Sequence, residues 1–105
     1  RRYNKSKRYQ QYMGKYSIEI ENTARKELAA HYKSGDKKTI KRIERIFQEL
    51  SETPFEGIGS PEALRHELSG YWSRQINKKD RLIYRVDDNI VTVYIVSALG
   101  HYDDK

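Results

Sequence analysis

The sequence predicts an α+β domain in which two N-terminal helices pack on one face of an antiparallel sheet. Three observations lead there. Residues 17–21 alternate polar and apolar, two stretches between residues 23 and 50 carry apolar residues at three-four spacing, and three strand-like runs separated by turn residues follow Gly70. A chain of 105 residues has room for one modest core, which excludes a barrel enzyme or a doubly wound cofactor fold.

Residues 1–14, RRYNKSKRYQQYMG, space no aliphatic side chains for burial and read as a basic tail or arm, with Met13 a candidate natural start. The folded domain is expected over 15–105. Ser17-Ile18-Glu19-Ile20-Glu21 reads as a half-buried strand, and Asn22 or Thr23 suits a helix N-cap. The first helix is predicted from Thr23 to Lys33, with Ala24, Leu28 and Tyr32 on its inner face and Ser34-Gly35 ending it. The second starts near Asp36 and buries Ile40, Ile43, Ile46, Phe47 and Leu50, leaving Lys37, Lys38, Lys41, Arg42 and Arg45 on other faces. Thr53 to Ser60 holds Pro54, Gly57 and Gly59 and reads as a loop, after which Pro61 suits the start of one helical turn through Arg65. Tyr71–Ile76, Arg81–Val86 and Ile90–Ala98 are the strand runs. Residues 77–80 and 87–89 separate them as hairpin turns do, so neighbours are expected antiparallel. The last run is apolar at both parities, which favours an inner strand.

Charge points towards nucleic acid, but only weakly. Arg1, Arg2, Lys5, Lys7, Arg8 and Lys15 account for the whole formal excess of +6, and the remaining chain is balanced. With no cysteine there is no disulfide framework, zinc ribbon or thiol nucleophile; His31, His66 and His101 form no short-spaced ligand set, so neither metal nor cofactor is expected. The longest apolar run, Ile90–Leu99, is broken by Thr92, Tyr94 and Ser97 and falls far short of the roughly 20 residues of a membrane span. A cytoplasmic protein is the expectation.

Few residues suggest chemistry without further context. Glu62 and Arg65 would share a face of a helical turn, most simply as a surface ion pair. Arg81, Ile83 and Arg85 alternate with Leu82, Tyr84 and Val86, so two arginines share the strand face away from the helices, either as a phosphate site or as a solvated surface. His101-Tyr102 offers an imidazole beside a phenol, or simply a surface end. Gly57-Ile58-Gly59 lacks the Lys-Ser/Thr of a phosphate loop, and Ser69 and Ser73 lack a nucleophile elbow.

Taken in order, Thr53-Pro54-Phe55-Glu56-Gly57, Pro61-Glu62-Ala63-Leu64-Arg65, Ser69-Gly70-Tyr71-Trp72-Ser73-Arg74, Arg81-Leu82-Ile83-Tyr84 and the terminal His101-Tyr102 resemble the YoeB (Txe/YoeB) toxin family, in the RelE-type branch of type II toxin-antitoxin systems. The resemblance covers about residues 13–102. It implies a microbial ribonuclease-like fold and an endoribonuclease that cuts mRNA in the ribosomal A site, with the ribose 2′-OH as nucleophile and no metal. By the same resemblance Glu62 is the general base, Arg81 the phosphate-stabilising arginine, His101 the general acid and Tyr102 its neighbour. Arg65, Arg74, Gln75 and Arg85 are then the RNA-contacting set. The implied partners are a cognate YefM- or Axe-like antitoxin, the ribosome with its mRNA, and a second copy in a homodimer.

This chain departs from the family pattern in two places. Gln75 stands where a second basic residue is common, and Asp103-Asp104-Lys105 extend past the usual end. Two other readings keep the fold: a ParE-like inhibitor that binds DNA gyrase, and a ribosome- or RNA-binding module without catalysis.

Overall fold

The computed structural model describes residues 14–90 and 92–99. The expected basic arm therefore lies, but for Gly14, outside the described residues, as do His101 and Tyr102.

Strand β1 (Ser17–Ile20) turns Ile18 into the core, where it is buried, and Ile20 packs against that core. The chain just before it is tied to the second helix: the Tyr16 N–H donates to the Ser51 carbonyl at 2.8 Å and the Gly14 N–H to the Ser51 hydroxyl at 3.2 Å. Helix α1 (Asn22–Ser34) buries Ala24, Leu28 and His31, and Gly35 closes it in the left-handed region at φ 75°. His31 takes the inward place assigned above to Tyr32, which is 42% exposed. At about 100° per residue, steps of four drift around the helix by roughly 40° each, whereas a four followed by a three returns to the starting stripe. Helix α2 (Lys37–Glu52) starts where expected, next to Asp36, which caps it: the carboxylate accepts from the Thr39 N–H at 3.2 Å and from the Thr39 hydroxyl at 2.8 Å. Ile43, Ile46, Phe47 and Leu50 form its buried stripe.

The remaining strands are β2 (Glu62–Ala63), β3 (Trp72–Gln75), β4 (Arg81–Asp87) and β5 (Thr92–Ser97), in a five-stranded sheet of order β1-β5-β4-β3-β2. β3, β4 and β5 pair antiparallel as expected, β2 joins β3 antiparallel, and β1 adds one parallel pairing to β5, Ser17 opposite Thr92 and Ile20 opposite Ile95. The sheet is thus mixed: both helices and strands β2 to β4 lie between β1 and β5 in the chain, a connection long enough to permit parallel pairing. β5 occupies the inner position its two-parity apolar pattern predicts. Leu82, Tyr84, Val93 and Ile95 meet both helices in one core, while Arg81, Ile83, Arg85 and Tyr94 alternate onto the far face.

The helical turn expected after Pro61 is overturned. The segment after Pro61 is not a helical turn but the edge strand β2, with Glu62 opposite Ser73, Ala63 opposite Trp72, and the Leu64 N–H donating to the Tyr71 carbonyl at 2.9 Å. Pairing with β3 satisfies backbone groups that a single isolated turn would leave open, and Pro61 is tolerated at the head of an edge strand. The short helical turn comes later, at His66–Leu68.

Candidate functional site

Three strands bring the site together on the face turned away from the helices. The tight turn after β3 sets the register, because the Asn77 carboxamide oxygen accepts from the N–H groups of Lys79 and Asp80 at 2.9 and 2.8 Å. Gln75 then lies opposite Arg81, and Ser73 opposite both Ile83 on one side and Glu62 on the other. Arg81 reaches diagonally to Ser73, its Nη1 donating to the buried hydroxyl at 3.0 Å, and the same nitrogen lies 3.9 Å from Glu62 Oε1. Glu62 is 56% exposed and Arg81 27%, so both charges are reachable from solvent. At 3.9 Å the pair is an open ion pair rather than a hydrogen bond, and separating such a pair costs about 0–1 kcal/mol. Drawing the arginine to an anion therefore sacrifices little in its pairing with Glu62.

Arg85 extends this face along β4. Its guanidinium lies 4.0 Å from the centroid of the Tyr94 ring across the β4–β5 ladder. That stacking fixes a planar donor fork beside an aromatic surface. Gln75 is half-buried, with its side-chain N–H donating to the Asn77 carbonyl at 3.2 Å. Arg65 stands exposed and extended at φ −126°, just before the short helical turn. It is not brought onto one helical face with Glu62, whose ion-pair partner is Arg81.

Arg74 is elsewhere altogether. It points to the helix side, fully buried, and pairs with Glu49 of α2 at 2.8 Å. Its remaining N–H groups donate to the carbonyls of Thr53, Pro54, Glu56 and Ile58 and to the Tyr84 hydroxyl. The reading of Arg74 as an RNA contact is corrected accordingly: a guanidinium with no exposed surface and its donors occupied serves as the hub around which residues 53–58 wrap. Gly57, at φ 131°, belongs to the same arrangement, since a Cβ there would stand 1.9 Å from Glu49 Oε1. Burial raises the Glu49 pKa, but the Ile58 N–H and the Arg74 guanidinium outweigh it and hold the carboxyl below its ordinary value. Burial pushes the Tyr84 hydroxyl up, with Arg74 opposing; its proton goes to the Pro54 carbonyl at 2.6 Å. This loop leads directly into Pro61 and Glu62, so the hub sets where β2 begins.

The sequence missed two participants. Ser73 lacks a nucleophile elbow, yet the two-residue period from Gln75 and the hairpin register place it beside Arg81. Glu49 carried no signal, because a glutamate on a charged helix looks like solvated surface until a buried arginine meets it. Among the described residues no group of three or more His, Cys, Asp or Glu side chains is placed to hold a metal ion.

The signature of the YoeB-like toxins of bacterial type II toxin-antitoxin systems matches residues 20–102. The chain belongs to this family. A toxin YoeB of Mycobacterium bovis is 49% identical over 69 residues, covering 66% of this chain and 79% of that protein. The fold is similar to a YoeB dimer from Staphylococcus aureus, with a TM-score of 0.71 and 34% identity over 85% of this chain and all of that one. It is also similar to the toxin in a heterotetrameric YoeB-YefM complex from the same species, with a TM-score of 0.68 and 36% identity over 83% of this chain and 98% of the other. Membership accounts for the motif order from Thr53 to Tyr84 and for the two helices that follow β1. Among the described residues of this YoeB-family toxin no helix is long and apolar enough to cross a membrane.

Proposed function

We propose that this toxin is a ribosome-dependent endoribonuclease that cuts mRNA in the A site by acid–base chemistry of its own side chains. The observation that carries the reading is the Glu62–Ser73–Arg81 cluster, an accessible carboxylate 3.9 Å from an accessible guanidinium on one sheet face of a YoeB-family chain. Strand cleavage at a ribose needs the 2′-OH deprotonated, charge on the phosphorane stabilised and the departing 5′-oxygen protonated. Glu62 takes the 2′-OH proton. The 2′-oxygen then bonds to phosphorus, Arg81 meets the developing charge, and the P–O5′ bond breaks as His101 gives its proton to the 5′-oxygen, with Tyr102 beside it. Arg85 on the Tyr94 ring, Arg65 and Gln75 hold the RNA backbone. One acid or base contributes about 10²- to 10⁴-fold, so alignment of the 2′-OH with the phosphate by the ribosome-held codon supplies much of the rest. The protein partner is a YefM-like antitoxin, with a second toxin copy as a further assembly.

The test is to map mRNA 5′ ends on A-site-programmed ribosomes. In-frame cuts that vanish in Arg81→Ala and His101→Ala, while both variants stay folded and bind antitoxin, are the expected result. Intact mRNA with undisturbed translation overturns it, and inhibition of gyrase supercoiling in its place would select the ParE-like reading.

A further inference from the structure

Where β1 stops, the ladder on that side of β5 stops too: the last contact there is the Glu21 N–H donating to the Ile95 carbonyl at 2.9 Å. On the other side Ser97, opposite Ile83, is the last paired residue. Ala98 is the next core residue along the chain and is fully buried, so its N–H and C=O need partners from something other than a strand. Helix α1 supplies both. The Ala98 N–H donates to Glu27 Oε1 at 2.7 Å, and the Ala98 carbonyl accepts from His31 Nε2 at 2.7 Å. A carbonyl can only accept, which places a proton on Nε2. Glu27 and His31 are one turn apart on α1, about 6 Å along its axis, and in extended chain the N–H and C=O of one residue point the same way. The two side chains thus grip both backbone polar groups of one residue as a neighbouring strand would.

What this grip fixes is the point from which the chain runs on to His101, three residues later. Covalent geometry holds the His101 Cα within about 11 Å of the Ala98 Cα, with Leu99 and the permissive Gly100 between them. We propose that Glu27 and His31 are positioning residues of the cleavage reaction: by clamping Ala98 they anchor the segment that delivers the general acid to the leaving oxygen. The inference rests on the ribonuclease reading above. Neither residue touches RNA in this scheme. Their effect is on the rate of cleavage and not on ribosome binding.

The test pairs a clamp-breaking substitution with a clamp-keeping one at each position. Glu27→Met and His31→Leu remove the acceptor and the donor, whereas Glu27→Gln still accepts from the Ala98 N–H and His31→Gln still donates to its carbonyl. Single-turnover cleavage on programmed ribosomes should fall about 10- to 100-fold at saturation in the first pair, with the half-saturating ribosome concentration and antitoxin affinity unchanged, and stay within about threefold of wild type in the Gln pair. Amide exchange at Ala98, read by NMR in the same proteins, should accelerate at least about tenfold in Glu27→Met and remain slow in Glu27→Gln. Wild-type cleavage rates in Met and Leu variants that exchange fast overturn the proposal, as do Gln variants that fall as far. Fast Ala98 exchange in the wild type overturns the clamp itself. If wild-type protein cuts nothing while the exchange pattern holds, the ribonuclease reading has failed and the clamp stands as a structural feature without that role.

Discussion

Replacing Arg74 by methionine should cost the fold about 3–5 kcal/mol, although the side chain lies on the opposite side of the sheet from the Glu62–Arg81 pair. Methionine fills a similar volume, so the loss is one of partners. Glu49, only 21% exposed, loses its buried cation and keeps only the solvent-exposed Arg45, 3.4 Å away, and the Ile58 N–H. Breaking a buried pair from one side costs about 3–5 kcal/mol, and the water that reaches Glu49 puts its share at the lower end. The carbonyls of Glu56 and Ile58 lose their guanidinium contacts as well. Thr53 keeps the Glu56 N–H at 3.1 Å and Pro54 keeps the Tyr84 hydroxyl at 2.6 Å. Each orphaned carbonyl adds about 1 kcal/mol where water cannot replace the donor. Urea unfolding at pH 7 is the assay, and the melting temperature should drop by on the order of 15–30 °C. Arg74→Lys keeps the charge but not the fork, and should lose about 2 kcal/mol. A loss below about 1 kcal/mol in Arg74→Met would refute the hub, and equal stability of Lys and Met variants would show that charge alone was irrelevant.

Further expectations follow from the same geometry. Because the folded-state pKa of Glu49 is depressed, the ionised carboxylate contributes stability above its unfolded value near 4.3 and loses it as pH falls through the folded value; acid unfolding of wild type should be steeper below about pH 4.3 than that of Glu49→Gln. Gly57→Ala, at a positive φ and against Glu49 Oε1, should destabilise by at least about 1 kcal/mol in the same urea assay. Arg85→Ala removes the contact with Tyr94 and should cost only about 0.5–1 kcal/mol of stability, while lowering the salt slope of RNA or ribosome binding by about 1 in a titration over several salt concentrations. Glu62→Gln should slow A-site cleavage about 10²- to 10⁴-fold with an unchanged far-ultraviolet circular dichroism spectrum.

Local pattern was enough wherever one residue's neighbours along the chain settle its state. The three-four spacing of Ile43, Ile46, Phe47 and Leu50, the helix start near Asp36 and the turn at Asn77–Asp80 are all short-range physics, and the structure keeps each of them. The face assignment of Arg81 and Arg85 follows from strand alternation alone. The residues after Pro61 behaved otherwise. Their helical signal was one turn long, too short to stand against an unpaired β3 edge, and the edge took them. Tyr32 and His31 exchanged places because a four-residue step only approximates the helical repeat. Arg74 departs from its expected role for a different reason: alternation assigns it a face, but only the packed core tells whether that face holds solvent or six acceptors.

The amino-acid sequence by itself determined the α+β class, the order of helices and hairpins, the inner rank of β5 and the motif series that marks a YoeB-family toxin. These depend on periodicity and turn chemistry, which act over a few residues. Tertiary structure alone decided that β1 runs parallel to β5, that Glu62 meets Arg81 across Ser73, that Glu49 binds Arg74 over a separation of 25 residues, and that α1 holds Ala98 from 71 and 67 residues away. Such contacts join partners with no local preference for one another. The buried ones among them form because burial leaves a charge or a backbone group with nowhere else to bond.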